Sequence, residues 1–75
     1  MTVLFFGQLA EMAGLRELTL EAAENTAVLR NILNTRFPVL KEAVYKIAVN
    51  SVISEKDMAL DADSTIALLP PFSGG

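Results

Sequence analysis

The sequence predicts an α+β fold, with one main helix packed across a mixed sheet. Residues 27–36 carry a helical apolar stripe of Val28, Leu29, Ile32 and Leu33. Short runs rich in β-formers flank that stripe on both sides, at residues 3–6, 18–20, 45–49 and 65–69. The 75 residues leave room for one domain, residues 1–75, with no linker and no internal repeat.

Each element has its own local reason. Val3-Leu4-Phe5-Phe6 is an unbroken apolar run. It reads as a central strand buried on both faces, with Phe5 and Phe6 in the core. Gly7 ends it. Residues 8–13 are good helix formers, with Leu9 and Met12 as core fillers. Gly14 stands where a glycine closes a helix C-terminus. Residues 16–21 alternate, with Leu18 and Leu20 on one side and Glu17, Thr19 and Glu21 on the other. That pattern fits a half-buried edge strand, antiparallel to the first.

Asn25 or Thr26 can cap the main helix, leaving Arg30 and Asn34 mostly outside. Phe37 is its last anchor and Pro38 stops it. Residues 39–44 have length for one further turn. Tyr45, Ile47 and Val49 share a face of the next strand. Asn50-Ser51 suits a tight turn, because Asn tolerates φ > 0. Val52-Ile53 returns as a short strand. A charged loop at 54–57, an anchor at 58–60 and a turn at 61–64 lead to the final strand, 65–69. That strand is apolar at nearly every position, as a central strand would be. This order fits the β-grasp, or ubiquitin-like, arrangement, in which the first and last strands lie parallel at the centre.

Composition narrows the function classes. Six basic residues, scattered singly, face nine acidic ones, giving a formal net charge of −3. Binding to nucleic acid or to an anionic membrane is therefore not expected. With no Cys and no His, the chain has no thiol nucleophile, no imidazole base and none of the usual zinc ligands. No metal site is expected. The first residues have no basic region, and no apolar run reaches membrane-spanning length. A soluble cytoplasmic protein is the expectation. The hydrophobic fraction of 52% and mean hydropathy of +0.42 are high for so small a domain, so some apolar surface should be left for a partner.

The most informative stretch is the last. Leu68-Leu69 runs into Pro70-Pro71, then Phe72-Ser73, and the chain stops at Gly74-Gly75. Each proline fixes φ and lacks an N–H, so the pair ends the strand and holds the chain extended. The glycines have no Cβ, so a partner's backbone can approach them closely. A stiff base, a thin tip and a terminal carboxylate suit delivery of the chain end into a narrow site.

These residues resemble a known family, the small subunits of molybdopterin synthase, which are sulfur carriers. The resemblance runs the full length. It rests on Leu4-Phe5-Phe6 with Gln8-Leu9 through Ala13-Gly14, on Ala48-Val49-Asn50, on Leu60-Asp61-Ala62-Asp63 and on the Pro70-Pro71…Gly74-Gly75 end. Departures are Ala62 where glycine is usual, Ser64 for a commonly acidic residue, Ser51 where glycine is frequent, and Phe72 for a smaller aliphatic residue.

The resemblance implies that Gly75 is the reacting residue, through its carboxylate and later a thiocarboxylate. Gly74 and Ser73 would form the tail that enters the substrate channel. Phe72, Pro71, Pro70 and Leu68 would bind the partner. It implies no bound cofactor. ATP would be used by an adenylating and sulfurating enzyme, passing through a glycyl-adenylate. The other partner would be the large synthase subunit, in a heterotetramer, and the chain itself would donate sulfur without catalysing. A thiamin-pathway sulfur carrier and a ubiquitin-like modifier joined through Gly75 are the alternatives. Glu55, Asp57, Asp61 and Asp63 lack the spacing and central glycine of a calcium loop and read as solvated turns. Lys41, Lys46 and Lys56 read as surface lysines, and Phe37 as core.

Deletion of Gly75 should leave thermal unfolding unchanged and abolish adenylation by the cognate activating enzyme. Undiminished adenylation of the shortened chain would sink the carrier assignment.

Overall fold

The computed structural model describes residues 1–53 and 55–71. The elements run β1 (Thr2–Phe5), α1 (Gln8–Ala13), β2 (Glu17–Thr19), α2 (Thr26–Arg36), a 3-10 turn (Pro38–Glu42), β3 (Lys46–Val49), β4 (Val52–Ile53) and β5 (Thr65–Leu69). The strands form one sheet in the order β2-β1-β5-β3-β4. β1 and β5 are parallel, and every other pair is antiparallel. This is the β-grasp arrangement, with the first and last strands adjacent near the centre.

Alternation along the strands sorts the side chains between two faces. Val3, Ile66 and Leu68 turn to one face and are fully buried, together with Leu9, Leu29 and Leu33 of the helices. Leu4, Ala67 and Leu69 turn to the other face and are only partly covered. The first strand is therefore buried on one face, not two. Its neighbours flank it in the hydrogen-bonding direction, but α2 covers a single side of the sheet. For the same reason Phe6 lies outside the core at 45% exposure, and Met12 at 36%.

Local chemistry explains the helix ends. The Asn25 side chain accepts a hydrogen bond from the Val28 N–H at 2.9 Å and caps α2. Leu29 and Leu33 form the buried centre of the stripe, Ile32 packs beside them, and Val28 falls at the exposed margin. Phe37 closes α2, and its ring meets Phe5 edge-on at 5.7 Å. Gly14 ends α1 at φ 81°, which only glycine adopts freely. The β2 ladder is shorter than the alternation of residues 16–21. Its extension is held instead by the Met1 ammonium and carbonyl, both hydrogen-bonded to Leu20.

Two polar devices tie the remaining connections. Asn50 and Ser51 turn at φ 49° and 73°, and Asn50 exchanges two hydrogen bonds with Thr65, at 2.8 and 2.9 Å. The β3–β4 hairpin tip is thus pinned to the start of β5. In the loop ahead of β5, Asp57 Oδ1 accepts from Thr26 Oγ1 at 2.8 Å and from the Ala27 N–H at 3.0 Å. Thr26 Oγ1 accepts from the Met58 N–H at 3.0 Å. These bonds strap residues 57–58 onto the start of α2, where a carboxylate is favoured by the helix dipole.

Asp61 and Ser64 hold the last turn, with Asp61 Oδ1 accepting from the Asp63 N–H at 2.8 Å and Ser64 Oγ from the Asp61 N–H at 3.0 Å. Ala62 is not among the positive-φ residues, so its turn does not require glycine. Among the described residues no three His, Cys, Asp or Glu side chains are placed to hold a metal ion. No helix among them is long and apolar enough to cross a membrane.

Leu68 and Leu69 are neighbours with opposite fates. Leu68→Ala should cost about 2–5 kcal/mol of stability, as a fully buried leucine does, and Leu69→Ala about 1 kcal/mol or less. Urea unfolding of the two variants checks this. Equal losses would mean that both faces of β5 are covered.

The Asp57 carboxyl is held below its ordinary value of 3.8, first by the Thr26 hydroxyl and then by the Ala27 N–H. Its contribution to stability is present above the unfolded-state value and lost as pH falls through the lower folded-state value. Asp57→Ala should therefore lower the denaturation midpoint at neutral pH, with a gap from wild type that closes in acid. A gap independent of pH would rule out the carboxylate as its source.

Candidate functional site

The site is built where β5 runs off the sheet. The Phe6 N–H donates to the Leu68 carbonyl at 3.2 Å, which carries the β1–β5 pairing one step past the strand. The chain then turns directly into α1: the Leu9 N–H donates to the Phe6 carbonyl and the Ala10 N–H to the Gly7 carbonyl, each at 3.1 Å. Gly7 sits at φ 56°, ψ −136°, a region nearly closed to residues with a side chain. Pro70 lies over this glycine. A Cβ placed on Gly7 would stand 3.1 Å from Pro70 Cγ, closer than ordinary van der Waals contact. Pro70 is partly buried, and Pro71 is exposed. Phe72, Ser73, Gly74 and Gly75 lie outside the described residues.

Beside this exit lies the uncovered face of the sheet. Strand register places Glu17, Leu4, Ala67, Ala48 and Ile53 in one row from edge to edge. The row toward the start of β5 is polar, with Thr19, Thr2 and Thr65. Toward the end of β5 stands Leu69, opposite Lys46, and Phe6 follows β1 with nearly half its surface exposed. The uncovered face therefore changes from hydroxyl-bearing to apolar in the direction of Pro70. The two alanines keep its middle shallow, and Glu17 and Lys46 mark its rim.

Leu68 does not belong to this face, contrary to the partner-binding role expected of it. It pairs with Phe5 and Ile47, both buried, and points into the core with them. The side chain that this end of the strand leaves on the uncovered face is Leu69. Leu4, Phe6, Leu69 and Gly7 were missed in the sequence. Strand parity would have found the first three, because Val3, Phe5, Ile66 and Leu68 already fill one face.

A concavity of about 710 Å³ opens next to the exit, lined among others by Leu4, Phe6, Gly7, Ala10, Leu15 and Arg16. Taken together, the elements can present an extended segment beside a flat apolar face. They do not bring an acid and a base together among the described residues.

Comparison with known proteins is consistent along the whole chain. The model of the ThiS family matches residues 3–75. The chain is 35% identical to the molybdopterin synthase sulfur carrier subunit of Caenorhabditis briggsae, over 97% of this chain and 94% of that one. Among solved structures it is similar to small archaeal modifier protein 1 from Methanosarcina acetivorans, with a TM-score of 0.84 and 26% identity over 99% of this chain and 94% of that one. It is also similar to a chain in the complex of subunits 1 and 2 of molybdopterin-converting factor from Helicobacter pylori. There the TM-score is 0.74 and identity 31%, covering 99% of this chain and 96% of that one. A family match over nearly every residue, on a fold that launches its last strand from the sheet centre, is decisive: the chain belongs to the ThiS family.

Proposed function

We propose that this chain is the sulfur carrier of a molybdopterin synthase, working in the cytoplasm. The observation that carries the reading is the path of β5, which runs from the centre of a rigid sheet through Pro70-Pro71 toward Gly74-Gly75, beside an apolar face. The likeness to the Caenorhabditis briggsae carrier subunit supports it.

On this reading the α-carboxyl of Gly75, with a reference pKa of about 3.3–3.7, is ionised at neutral pH. Its oxygen attacks the α-phosphate of ATP on an adenylating enzyme and expels pyrophosphate. The terminal sulfur of a persulfide displaces AMP, and a thiol then reduces the acyl disulfide to leave the thiocarboxylate. That sulfur attacks a pterin precursor in the large synthase subunit, and hydrolysis returns the carboxylate. Leu4, Phe6, Leu69 and Pro71, together with Phe72, dock on the large subunit, in a heterotetramer. Ser73 and Gly74 thread the channel that leads to the reacting atoms.

A second reading, conjugation to target lysines through Gly75, is favoured by the likeness to small archaeal modifier protein 1. Intact-mass analysis of the chain from cells making molybdopterin separates the two. A carrier shows one sulfur-for-oxygen difference, and a modifier shows a ladder of larger adducts. Adducts without any thiocarboxylate would overturn the carrier reading.

The thin tip can be tested separately. Gly74→Val should bind the large subunit as tightly as wild type. In single-turnover transfer from the chemically thiocarboxylated chain, it should lose on the order of 100-fold in rate, as about 1 Å of misplacement does. An unchanged rate would mean that no narrow channel selects glycine.

A further inference from the structure

We propose that Gly7 is a positioning residue for the C-terminal group. It gives the Pro70 ring a seat with no side chain in it, and that seat fixes the direction in which the chain leaves the sheet. The proposal rests on the sulfur-carrier reading for what the tail delivers, but not for the path it takes.

Three observations meet at this point. Gly7 adopts a backbone conformation that side chains rarely enter. A Cβ on Gly7 would stand 3.1 Å from Pro70 Cγ, so the ring would have to give way by a few tenths of an ångström. Both residues are held from behind: Gly7 by the Ala10 N–H at the start of α1, and the end of β5 by the Phe6 N–H on Leu68. These bonds resist a retreat of the backbone on either side of the contact, so the ring itself has to move. Pro70 also has a fixed φ and no N–H of its own. It cannot donate a ladder bond beyond β5, so packing of its ring takes on part of setting its direction. The φ and ψ of Gly7 lie outside the left-handed helical region that asparagine enters, so the backbone by itself already calls for glycine. The ring adds a second demand, because a Cβ on residue 7 would press on Pro70 Cγ. A methyl group there pushes the ring outward, and the displacement grows along the residues that follow.

The test is a double-mutant cycle of Gly7→Ala and Pro70→Ala. Backbone strain at residue 7 is common to both halves of the cycle and cancels, leaving the ring contact. If Gly7→Ala does not fold, Pro70→Ala and Pro70→Gly are compared with wild type: loss of the ring alone should change the relaxation described below, and an unchanged value would overturn the seat. The chain has no cysteine, so Thr19→Cys carries a single nitroxide at the sheet edge. Paramagnetic relaxation of the Ser73 amide then reports the direction of the tail in the free protein. Gly7→Ala should change that relaxation in the wild-type background and leave it unchanged in the Pro70→Ala background. Additive effects, or none, would overturn the seat.

The second readout is single-turnover transfer from thiocarboxylated chains, with affinity for the large subunit measured alongside. Gly7→Ala should lower the rate by about 10-fold or more at unchanged affinity, and the Pro70→Ala background should abolish that sensitivity. A wild-type rate despite a redirected tail would overturn the positioning role. A wild-type chain that transfers no sulfur, with the relaxation cycle still non-additive, would refute the carrier reading and leave the seat standing.

Discussion

The parallel pairing of β1 with β5 is the constraint on which the rest depends. Four registered pairs, from Thr2 with Thr65 to Phe5 with Leu68, join the two ends of the chain near the middle of the sheet. A parallel pair needs a long crossover, and here every other element lies within that crossover. α2 must span one face to close it, and the β3–β4 hairpin must pair on the far side of β5. Because the crossover carries one main helix, only one face is covered. The open face and the exit of β5 beside it are thus consequences of a single topological choice.

The polar contacts divide their work accordingly. Those of Asn50 with Thr65 fix where β5 begins, and those of Asp57 with Thr26 and Ala27 fix how the incoming loop crosses the start of α2. Both are non-local and sit at the edge of the hydrophobic layer, where a hydrogen bond to a charged or aligned group contributes most to choosing one register. The apolar core of Val3, Leu29, Leu33, Ile66 and Leu68 supplies most of the stabilisation and itself forbids a one-residue slip, which would turn its strand side chains to the uncovered face.

Most of the architecture was legible in the sequence, because local rules acted alone there. The final strand starts at Thr65 and ends at Leu69, as read. α1 ends before Gly14, and Asn25 caps α2. What was not legible depended on how many layers cover the sheet. A run such as Val3-Leu4-Phe5-Phe6 fits two-sided burial as well as one-sided, so Phe6 was placed in the core and Leu68 on the docking face. The Asp57 strap was hidden for another reason: its partners lie about thirty residues away, and an acidic loop residue looks solvated until its donors are known. Of the site, the prolines and glycines were visible as residue types. The seat at Gly7 was not, because it exists only once β1 and β5 are adjacent.

The position of β5 also governs when the fold can form. The strand that joins β1 to β3 leaves the ribosome after every other described element. Before it does, β1–β2 and β3–β4 are separate hairpins, and two-stranded hairpins are marginal in water. The nascent chain must therefore stay largely unfolded until residue 69 has emerged, later than in a fold built from sequential neighbours. A chain cut before β5 would lack the sheet's middle, and would be exposed to proteolysis rather than competing for the partner. Closure of the sheet and the launching of the segment after it thereby depend on one strand.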